Sequence, residues 1–215
     1  MTILITGANR GIGAAMLAQY RAEGRAVLGT ARHPGAGALL PLDVTQPASV
    51  RALADQLATT PLTLLICNAG IYPGRSDRLE DGYPPEDWAQ GFATNVTGTF
   101  LTIQHLLPHL RAGGGKIAII SSQMASSSRA PGGAYIYRAS KAAVLNLGRN
   151  LASDLRAEGL PVGIYHPGWV QTEMGGSAAE ITPEESARGL IARFDALSPA
   201  TTGCFETWDG RPHAF

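Results

Sequence analysis

The sequence predicts a single α/β domain over residues 1–215, built on a doubly wound parallel sheet of about seven strands flanked by helices. Short apolar runs rich in branched aliphatic residues alternate with longer amphipathic segments. Uninterrupted apolar runs of this length are typical of strands buried on both faces of a parallel sheet. Several of the amphipathic segments end at glycine, where a left-handed helix cap costs little. This alternation favours an open sheet with right-handed crossovers.

The expected elements follow one another along the chain. Strands are expected at 3–5, 26–28, 39–42, 62–67, 116–120 and 162–165, and helices near 11–23, 47–58, 86–112, 134–158 and 183–196. The link between the second and third strands, at 32–38, is too short for a usual helical crossover. Pro34 and Gly35 also disfavour a helix there. We expect an extended or single-turn connection that leaves part of one sheet face uncovered.

Composition excludes several classes of function. The formal net charge is zero and no run of lysine or arginine occurs, so neither nucleic acid nor an anionic membrane is an expected partner. The N-terminus enters a strand without a basic region or cleavage site, and no apolar stretch is long enough to span a bilayer. Cys67 and Cys204 lie far apart without metal-ligand spacing. These features favour a cytoplasmic protein without a metal site.

A glycine-rich turn, residues 6–13, lies between the first expected strand and helix. Glycines there allow a tight turn and close approach of the backbone to a pyrophosphate, while the helix N-terminus presents free N–H groups. The alternative is a turn that serves only strand–helix packing. Its place at the start of a βα unit favours dinucleotide binding.

The end of the second strand bears on the choice of dinucleotide. An acidic side chain at this position would bind the adenosine ribose hydroxyls, but the chain has Arg32 there, with Arg10 in the nearby glycine turn. A guanidinium binds a phosphate with two hydrogen bonds. The sequence therefore favours NADP(H) over NAD(H), unless Arg32 is only a solvated surface residue.

Tyr137 and Lys141 are four residues apart in an expected helix and share one face. A neighbouring ammonium favours the phenolate form of a tyrosine, so such a pair can exchange a proton with a substrate oxygen. The spacing alone also occurs on many surface helices. The other motifs decide between these interpretations.

Together the motifs resemble those of the short-chain dehydrogenase/reductase family, the compact Rossmann-fold type, over nearly the whole chain. The C-factor and carbonyl-reductase-like members are the most similar. The matching segments occur in the family's order: the TGxxxGxG turn at 6–13, an acidic residue at Asp43, Asn-Ala-Gly at 68–70, a helix asparagine at Asn95, a serine pair at 121–122, YxxxK at 137–141 and Pro-Gly at 167–168 followed by Val170 and Thr172.

The resemblance implies an NAD(P)(H)-dependent oxidoreductase that transfers a hydride between nicotinamide and a carbonyl or secondary alcohol. Tyr137 would be the general acid/base, and Lys141 would lower the pKa of Tyr137 and bind the nicotinamide ribose. Ser122 would bind the substrate oxygen, and Asn95 would hold a water that links Lys141 to solvent. Since the stretch after the serine pair is longer than usual, Ser121 remains the alternative to Ser122.

The implied catalytic residues are thus Asn95, Ser122, Tyr137 and Lys141. The implied cofactor-binding residues are Gly7, Asn9, Arg10, Gly11, Ile12, Gly13, Arg32, Asp43, Val44, Asn68, Ala69, Gly70, Tyr137, Lys141, Pro167, Gly168, Val170 and Thr172. The substrate pocket is expected to be bordered by Tyr72, Tyr135, Trp169 and Met174, and to be open because the segment 174–182 is short.

Two further expectations come from the same resemblance. Relatives pair through two long helices, here 86–112 and 134–158, so a homodimer or homotetramer is expected. Some C-factor-like relatives are tied to signalling, so the alternative function is a dinucleotide-binding regulatory protein with little turnover. The complete catalytic set favours the enzyme.

Overall fold

A seven-stranded parallel sheet carries the fold in the computed structural model, which describes residues 2–35 and 38–215. The strand order is β3-β2-β1-β4-β5-β6-β7, which confirms the predicted fold class. The strands are β1 (Thr2–Ile5), β2 (Val27–Ala31), β3 (Leu39–Pro41), β4 (Leu62–Cys67), β5 (Lys116–Ile120), β6 (Val162–His166) and β7 (Phe205–Thr207).

Six α-helices flank the sheet in the described residues. They are α1 (Gly11–Ala22), α2 (Pro47–Leu57), α3 (Pro85–Phe92), α4 (Gly98–Gly113), α5 (Tyr135–Asp154) and α6 (Pro183–Ala196). Prolines occupy the first turns of α2, α3 and α6, where a missing N–H costs nothing. Thr182 and Glu185 form a reciprocal capping box at the start of α6.

Two predicted helices differ from the structure. The expected helix 86–112 is interrupted, because a π-helical turn at Ala93–Thr97 separates α3 from α4. The expected helix 134–158 begins one residue later, since Ala134 has a left-handed backbone with φ of 50°. It ends at Asp154, and Arg156–Glu158 form a separate 3-10 turn.

Successive strand residues face two different apolar layers. Leu4 and Leu65 pack with α2, α4 and α5, whereas Ile3, Ile5 and Ile66 pack with α1 and α6. Both faces of the central strands are therefore covered, which explains why their sequences are apolar without alternation.

The link between β2 and β3 contains no helix in its described part, residues 32–35 and 38. Residues 36 and 37 of the predicted extended connection lie outside the described residues. Leu28 and Leu40, on the face of the sheet that packs with α2, α4 and α5, are only partly buried, so this face is incompletely covered near β3.

The strand order positions the site. It reverses between β1 and β4, and the crevice at such a reversal, beyond the carboxyl ends of the strands, is where open α/β sheets bind ligands. Thr6, Asn68, Ser121 and Pro167 each follow the last residue of a central strand at this edge. Among the described residues, no helix combines the length and apolarity needed to cross a membrane.

Candidate active site

The glycine turn after β1 has a backbone that larger residues would not fit. Gly7 and Gly11 have φ of 65° and 53°, in the left-handed region. A Cβ on Gly13 would lie 2.2 Å from the carbonyl oxygen of Gly7. The chain therefore passes tightly into α1, whose first residues line a pocket beyond the sheet edge.

Thr6 and Asn68 hold this turn against the end of β4. The side-chain amide of Asn68 donates to the carbonyl oxygens of Thr6 and Gly7 at 3.0 and 2.9 Å. The Thr6 hydroxyl in turn accepts from the backbone N–H groups of Asn68 and Ala69, both at 3.0 Å. The Asn68 side chain thus fixes the glycine turn to the end of β4.

A large pocket of about 840 Å³ extends along this edge of the sheet. This volume is within the range of roughly 300–1,000 Å³ for small-molecule and cofactor sites. Most of the predicted cofactor-binding residues line it: Gly7, Asn9, Arg10, Gly11, Ile12, Gly13, Arg32, Asp43, Val44, Asn68, Ala69, Gly70, Tyr137, Lys141, Pro167 and Thr172. The structure brings these residues together from distant parts of the chain.

The charge of this pocket suits an anionic ligand. Its described lining includes the basic side chains of Arg10, Arg32, Arg75 and Lys141, against two carboxylates. One carboxylate, Asp43, accepts hydrogen bonds from the Thr45 N–H at 2.9 Å and the Thr45 hydroxyl at 2.7 Å. Burial alone would raise the pKa of Asp43, but these bonds and the charges of Arg32 and His33 lower it below its usual value.

The other carboxylate belongs to Glu173 in the segment after the Pro-Gly motif. It pairs with the guanidinium of Arg10, and both side chains are largely exposed. The same segment is held from the other side, because Arg75 donates to the carbonyl oxygen of Met174 at 2.8 Å. Two arginines from different loops therefore fasten this segment beside the pocket.

Tyr137 and Lys141 lie in the first half of α5, and both are buried. The Lys141 ammonium donates to the carbonyl oxygen of Ile120 at 2.9 Å and lies 5.7 Å from the centre of the Tyr137 ring. Burial lowers the pKa of Lys141 to about 8. Burial also raises the pKa of Tyr137 to about 12, although a hydrogen bond with Ser122 works against this.

The predicted lowering of the Tyr137 pKa by Lys141 is therefore wrong for this arrangement. Removal from water destabilises the charged phenolate of Tyr137 more than the hydrogen bond with Ser122 stabilises it. The ammonium group is turned toward a backbone carbonyl at the end of β5.

The two serines after β5 have different surroundings. The Ser121 hydroxyl donates to the backbone oxygen of Lys141 at 3.0 Å and is buried. The Ser122 hydroxyl accepts from the Met124 N–H at 3.1 Å and also forms a hydrogen bond with Tyr137. Ser122 lines a second, smaller pocket next to Tyr137.

Asn95 lies in the π-helical turn and reaches the loop after β4. Its side chain accepts from the Ile71 N–H at 2.9 Å and donates to the Ile71 carbonyl at 3.0 Å. It also donates to the Ser140 hydroxyl at 2.9 Å. All of these hydrogen bonds of the Asn95 amide are made with protein groups. Asn95 lines neither the large nor the small pocket.

The smaller pocket has a volume of about 290 Å³ and contains the remaining predicted residues. Gly168 and Val170 line it, as do three of the four side chains expected around the substrate, Tyr72, Trp169 and Met174. Tyr135 does not, because its ring packs edge-on against Tyr83 at 5.1 Å between centroids. The prediction for Tyr135 is therefore wrong.

Several lining residues were not predicted from the sequence. They include His33, Thr45, Ile71, Arg75 and Glu173 around the large pocket, and Gln123, Met124 and His166 around the small one. Thr45 and His166 are next to predicted motifs in the sequence, and this proximity could have indicated that they line the site. Arg75 lies in a long loop, and no pattern in the sequence marks it.

Comparison with known proteins identifies the family of the chain. The family model for short chain dehydrogenases matches residues 1–182. The chain belongs to the short-chain dehydrogenase family. It is therefore an oxidoreductase by family, as the order of its motifs predicts.

Several relatives of this short-chain dehydrogenase are informative. It is 39% identical to the C-signal of Myxococcus xanthus, over 75% of this chain and 97% of that protein. It is 32% identical to a 1-hydroxy-2-glutathionyl-2-methyl-3-butene dehydrogenase of Rhodococcus sp. (strain AD45), over 97% of each. Both relatives are covered almost completely.

Solved structures with the same fold include two carbonyl reductases. The NADPH-bound carbonyl reductase from chicken fatty liver superposes with a TM-score of 0.90 at 31% identity, covering 100% of this chain and 98% of that one. The carbonyl reductase Sniffer of D. melanogaster superposes with a TM-score of 0.92 at 25% identity, covering 100% and 99%. The predicted similarity to carbonyl-reductase-like members is confirmed.

Proposed function

We propose that this short-chain dehydrogenase transfers a hydride between NADP(H) and a small carbonyl or secondary alcohol, with Tyr137 as general acid/base. The observation that carries the proposal is the convergence of Ser122, Tyr137 and Lys141 where the two pockets meet. Tyr137 lines both pockets, so its hydroxyl can reach a substrate in one while a dinucleotide occupies the other. One domain, residues 1–215, would carry both sites.

The residues present fit a dinucleotide. Side chains on Gly7 or Gly13 would meet the backbone of Ala69 at 3.0 Å or of Gly7 at 2.2 Å, so glycine keeps the turn tight and its N–H groups accessible to a phosphate. Arg10 and Arg32 line the same pocket and suit a 2′-phosphate. Asp43 lines the same pocket and would bind the adenine, and Thr172 lies beside Gly11.

The chemistry follows from the positions of three side chains. When bound, the nicotinamide supplies or accepts the hydride. Tyr137 donates a proton to the carbonyl oxygen during reduction and takes it back during oxidation. Ser122 donates a hydrogen bond to the same oxygen and holds it beside the phenol. Lys141, whose ammonium lies 5.7 Å from the centre of the Tyr137 ring, would bind the nicotinamide ribose.

The proposed role of Asn95 is to link Lys141 to solvent through a water. Its side chain is occupied by Ile71 and Ser140, so a water would bind at the backbone of the π-helical turn, where a helical hydrogen bond is displaced. The side-chain oxygen of Asn95 and the Lys141 ammonium both lie near Gly70, at 3.2 and 3.5 Å from a Cβ built there.

Turnover of defined carbonyl compounds tests the proposal. Purified protein is mixed with NADPH and, separately, with benzaldehyde, 4-nitrobenzaldehyde, acetophenone and cyclohexanone, and the loss of absorbance of NADPH is followed. We expect turnover with at least one compound and a loss of roughly 10²–10⁴-fold in kcat for Tyr137→Phe. Tyr135→Phe is the matched control, because Tyr135 lines neither pocket. A Tyr137→Phe enzyme as active as the control would exclude the mechanism.

The second candidate is a dinucleotide-binding regulatory protein, and the similarity to the C-signal supports it. It predicts tight binding of NADPH, measured by quenching of tryptophan fluorescence, without turnover on any of the compounds above. Measurable turnover that depends on Tyr137 would favour the enzyme.

The proposed partners are a small-molecule substrate and a second copy of the chain. Pairing through α4 and α5 remains a prediction. Light scattering on the purified protein would show a mass of two or four chains if it is correct.

A further inference from the structure

The ring of Tyr72 stacks on the ring of Tyr137. Their centroids are 4.1 Å apart and their planes differ by 18°, which is a parallel stack. Tyr72 comes from the loop after β4, whereas Tyr137 is on α5. Resting on the proposed role of Tyr137, we propose that Tyr72 is a positioning residue, whose ring fixes the orientation of the Tyr137 phenol and keeps water from one of its faces.

The backbones that carry the two rings are joined by a chain of hydrogen bonds. Asn95 binds both backbone groups of Ile71, the residue before Tyr72, at 2.9 and 3.0 Å. The same amide donates to the Ser140 hydroxyl at 2.9 Å, and that hydroxyl donates to the backbone oxygen of Tyr137 at 2.9 Å. The backbone segments that carry the two stacked rings are thus connected to each other through Asn95 and Ser140.

The hydroxyl end of the Tyr72 side chain also has a contact that fixes its position. Its hydroxyl contacts the sulfur of Met124 at 4.0 Å, and Met124 follows the serine pair in a 3-10 turn. Tyr72 lines both pockets, as Tyr137 does. The ring therefore forms the wall at the junction of the pockets, next to the atom that exchanges the proton.

This stack has a consequence for proton transfer. Tyr137 is only 8% exposed, and burial is the main reason that its pKa is raised to about 12. The Ser122 hydrogen bond lowers that pKa, and the neighbouring Tyr72 raises it. Removing the Tyr72 ring would admit water to the phenol and lower the pKa. It would also free the ring to rotate away from the reacting oxygen, for which small displacements cost much rate.

Two variants separate the ring of Tyr72 from its hydroxyl. Tyr72→Leu removes the aromatic face, and Tyr72→Phe keeps it. With 4-nitrobenzaldehyde and NADPH, we expect Tyr72→Leu to lower kcat by roughly tenfold or more, while Tyr72→Phe keeps most of it. Tyr135→Leu is the matched control, because it removes an aromatic ring of α5 that contacts Tyr83 instead. It should leave kcat unchanged.

A spectroscopic measurement makes the test independent of turnover. The six tyrosines are replaced by 3-fluorotyrosine, whose phenol ionises at lower pH, and the ¹⁹F signal absent from Tyr137→Phe is assigned to Tyr137. We expect Tyr72→Leu to shift this signal and to move its titration to lower pH by roughly half a unit or more. Tyr72→Phe should move neither by a comparable amount.

The outcomes are distinct. The proposal is overturned if Tyr72→Leu leaves the Tyr137 signal, its titration and kcat unchanged, or if Tyr72→Phe is as impaired as Tyr72→Leu. Failure of the proposed function would be recognised separately, by a fully active Tyr137→Phe enzyme. The ¹⁹F signals would still report whether Tyr72 controls the surroundings of Tyr137.

Discussion

The guanidinium of Arg10 forms an ion pair with Glu173, so that the glycine turn is joined to the segment after the Pro-Gly motif. Both side chains line the large pocket. The same guanidinium, together with that of Arg32, is expected to bind a 2′-phosphate. If Arg10 binds a 2′-phosphate as proposed, the Glu173 carboxylate would compete with that phosphate for its guanidinium.

Glu173→Gln should tighten NADPH binding. Because exposed ion pairs contribute roughly 0.2–1 kcal/mol, we expect the Kd for NADPH to fall by about 1.4-fold to fivefold. The Kd for NADH, which has no 2′-phosphate, should stay unchanged. Both are measured by quenching of tryptophan fluorescence. Equal tightening for the two dinucleotides would show that Glu173 acts on the common part of the molecule.

Arg32→Ala should weaken NADPH selectively. Hydrogen bonds to charged groups contribute about 1.5–3 kcal/mol, so the Kd for NADPH should rise by roughly ten- to a hundredfold while the Kd for NADH changes little. Arg51→Ala is the matched control, since Arg51 is exposed on α2 and lines neither pocket. Equal losses for NADPH and NADH would refute a contact with the 2′-phosphate.

The two serines after β5 should respond differently to substitution. Ser122→Ala removes the donor beside Tyr137, and we expect kcat to fall by roughly 10²–10³-fold. Ser121→Ala removes the hydroxyl that donates to the backbone oxygen of Lys141, which should cost about 0.5–1.5 kcal/mol in the free energy of unfolding. If Ser121→Ala abolished turnover and Ser122→Ala did not, the assignment would have to be reversed.

His166 should make the protein less stable in acid. Burial is the main cause that lowers its pKa from 6.5 to about 4, and the nearby His213 and Arg129 add to the effect. The unfolded chain therefore binds a proton that the folded chain does not between these pH values, so stability falls as the pH drops from 6.5 through 4. The loss from this residue approaches about 3 kcal/mol.

Urea unfolding at a series of pH values measures this effect. The free energy of unfolding of the wild type should fall more steeply below pH 6.5 than that of His166→Gln, which has no imidazole to protonate. Parallel curves for the two proteins would show that His166 is not the group responsible.

The sequence predicts the central strands best. The bounds of β4 and β5 match the predicted 62–67 and 116–120, because these strands are buried on both faces and admit only apolar residues. The glycine turn and the Tyr137–Lys141 pair are also local patterns. Their placement along one pocket follows from the strand order, which the alternation of strands and helices already indicates.

Features that depend on contacts between distant segments were not predictable. In the π-helical turn, Asn95 forms hydrogen bonds with Ile71, and nothing in the local sequence distinguishes that turn from a regular helix. The high pKa of Tyr137 depends on how completely the surrounding loops bury it. Likewise Tyr72 was expected to border the substrate, but its stacking on Tyr137 required the folded structure.

The two outermost strands of the sheet are short and poorly suited to recruiting another strand. β3 has three residues and ends in Pro41, which lacks an N–H to donate. The outer edge of β7 is already covered by the returning chain, since the Thr207 N–H donates to Arg211 and the His213 N–H to Phe205, at 2.9 and 2.8 Å. Neither edge offers a long template for edge-to-edge aggregation or for a continuous intermolecular sheet. Any self-association of this chain is therefore expected to use its helical faces.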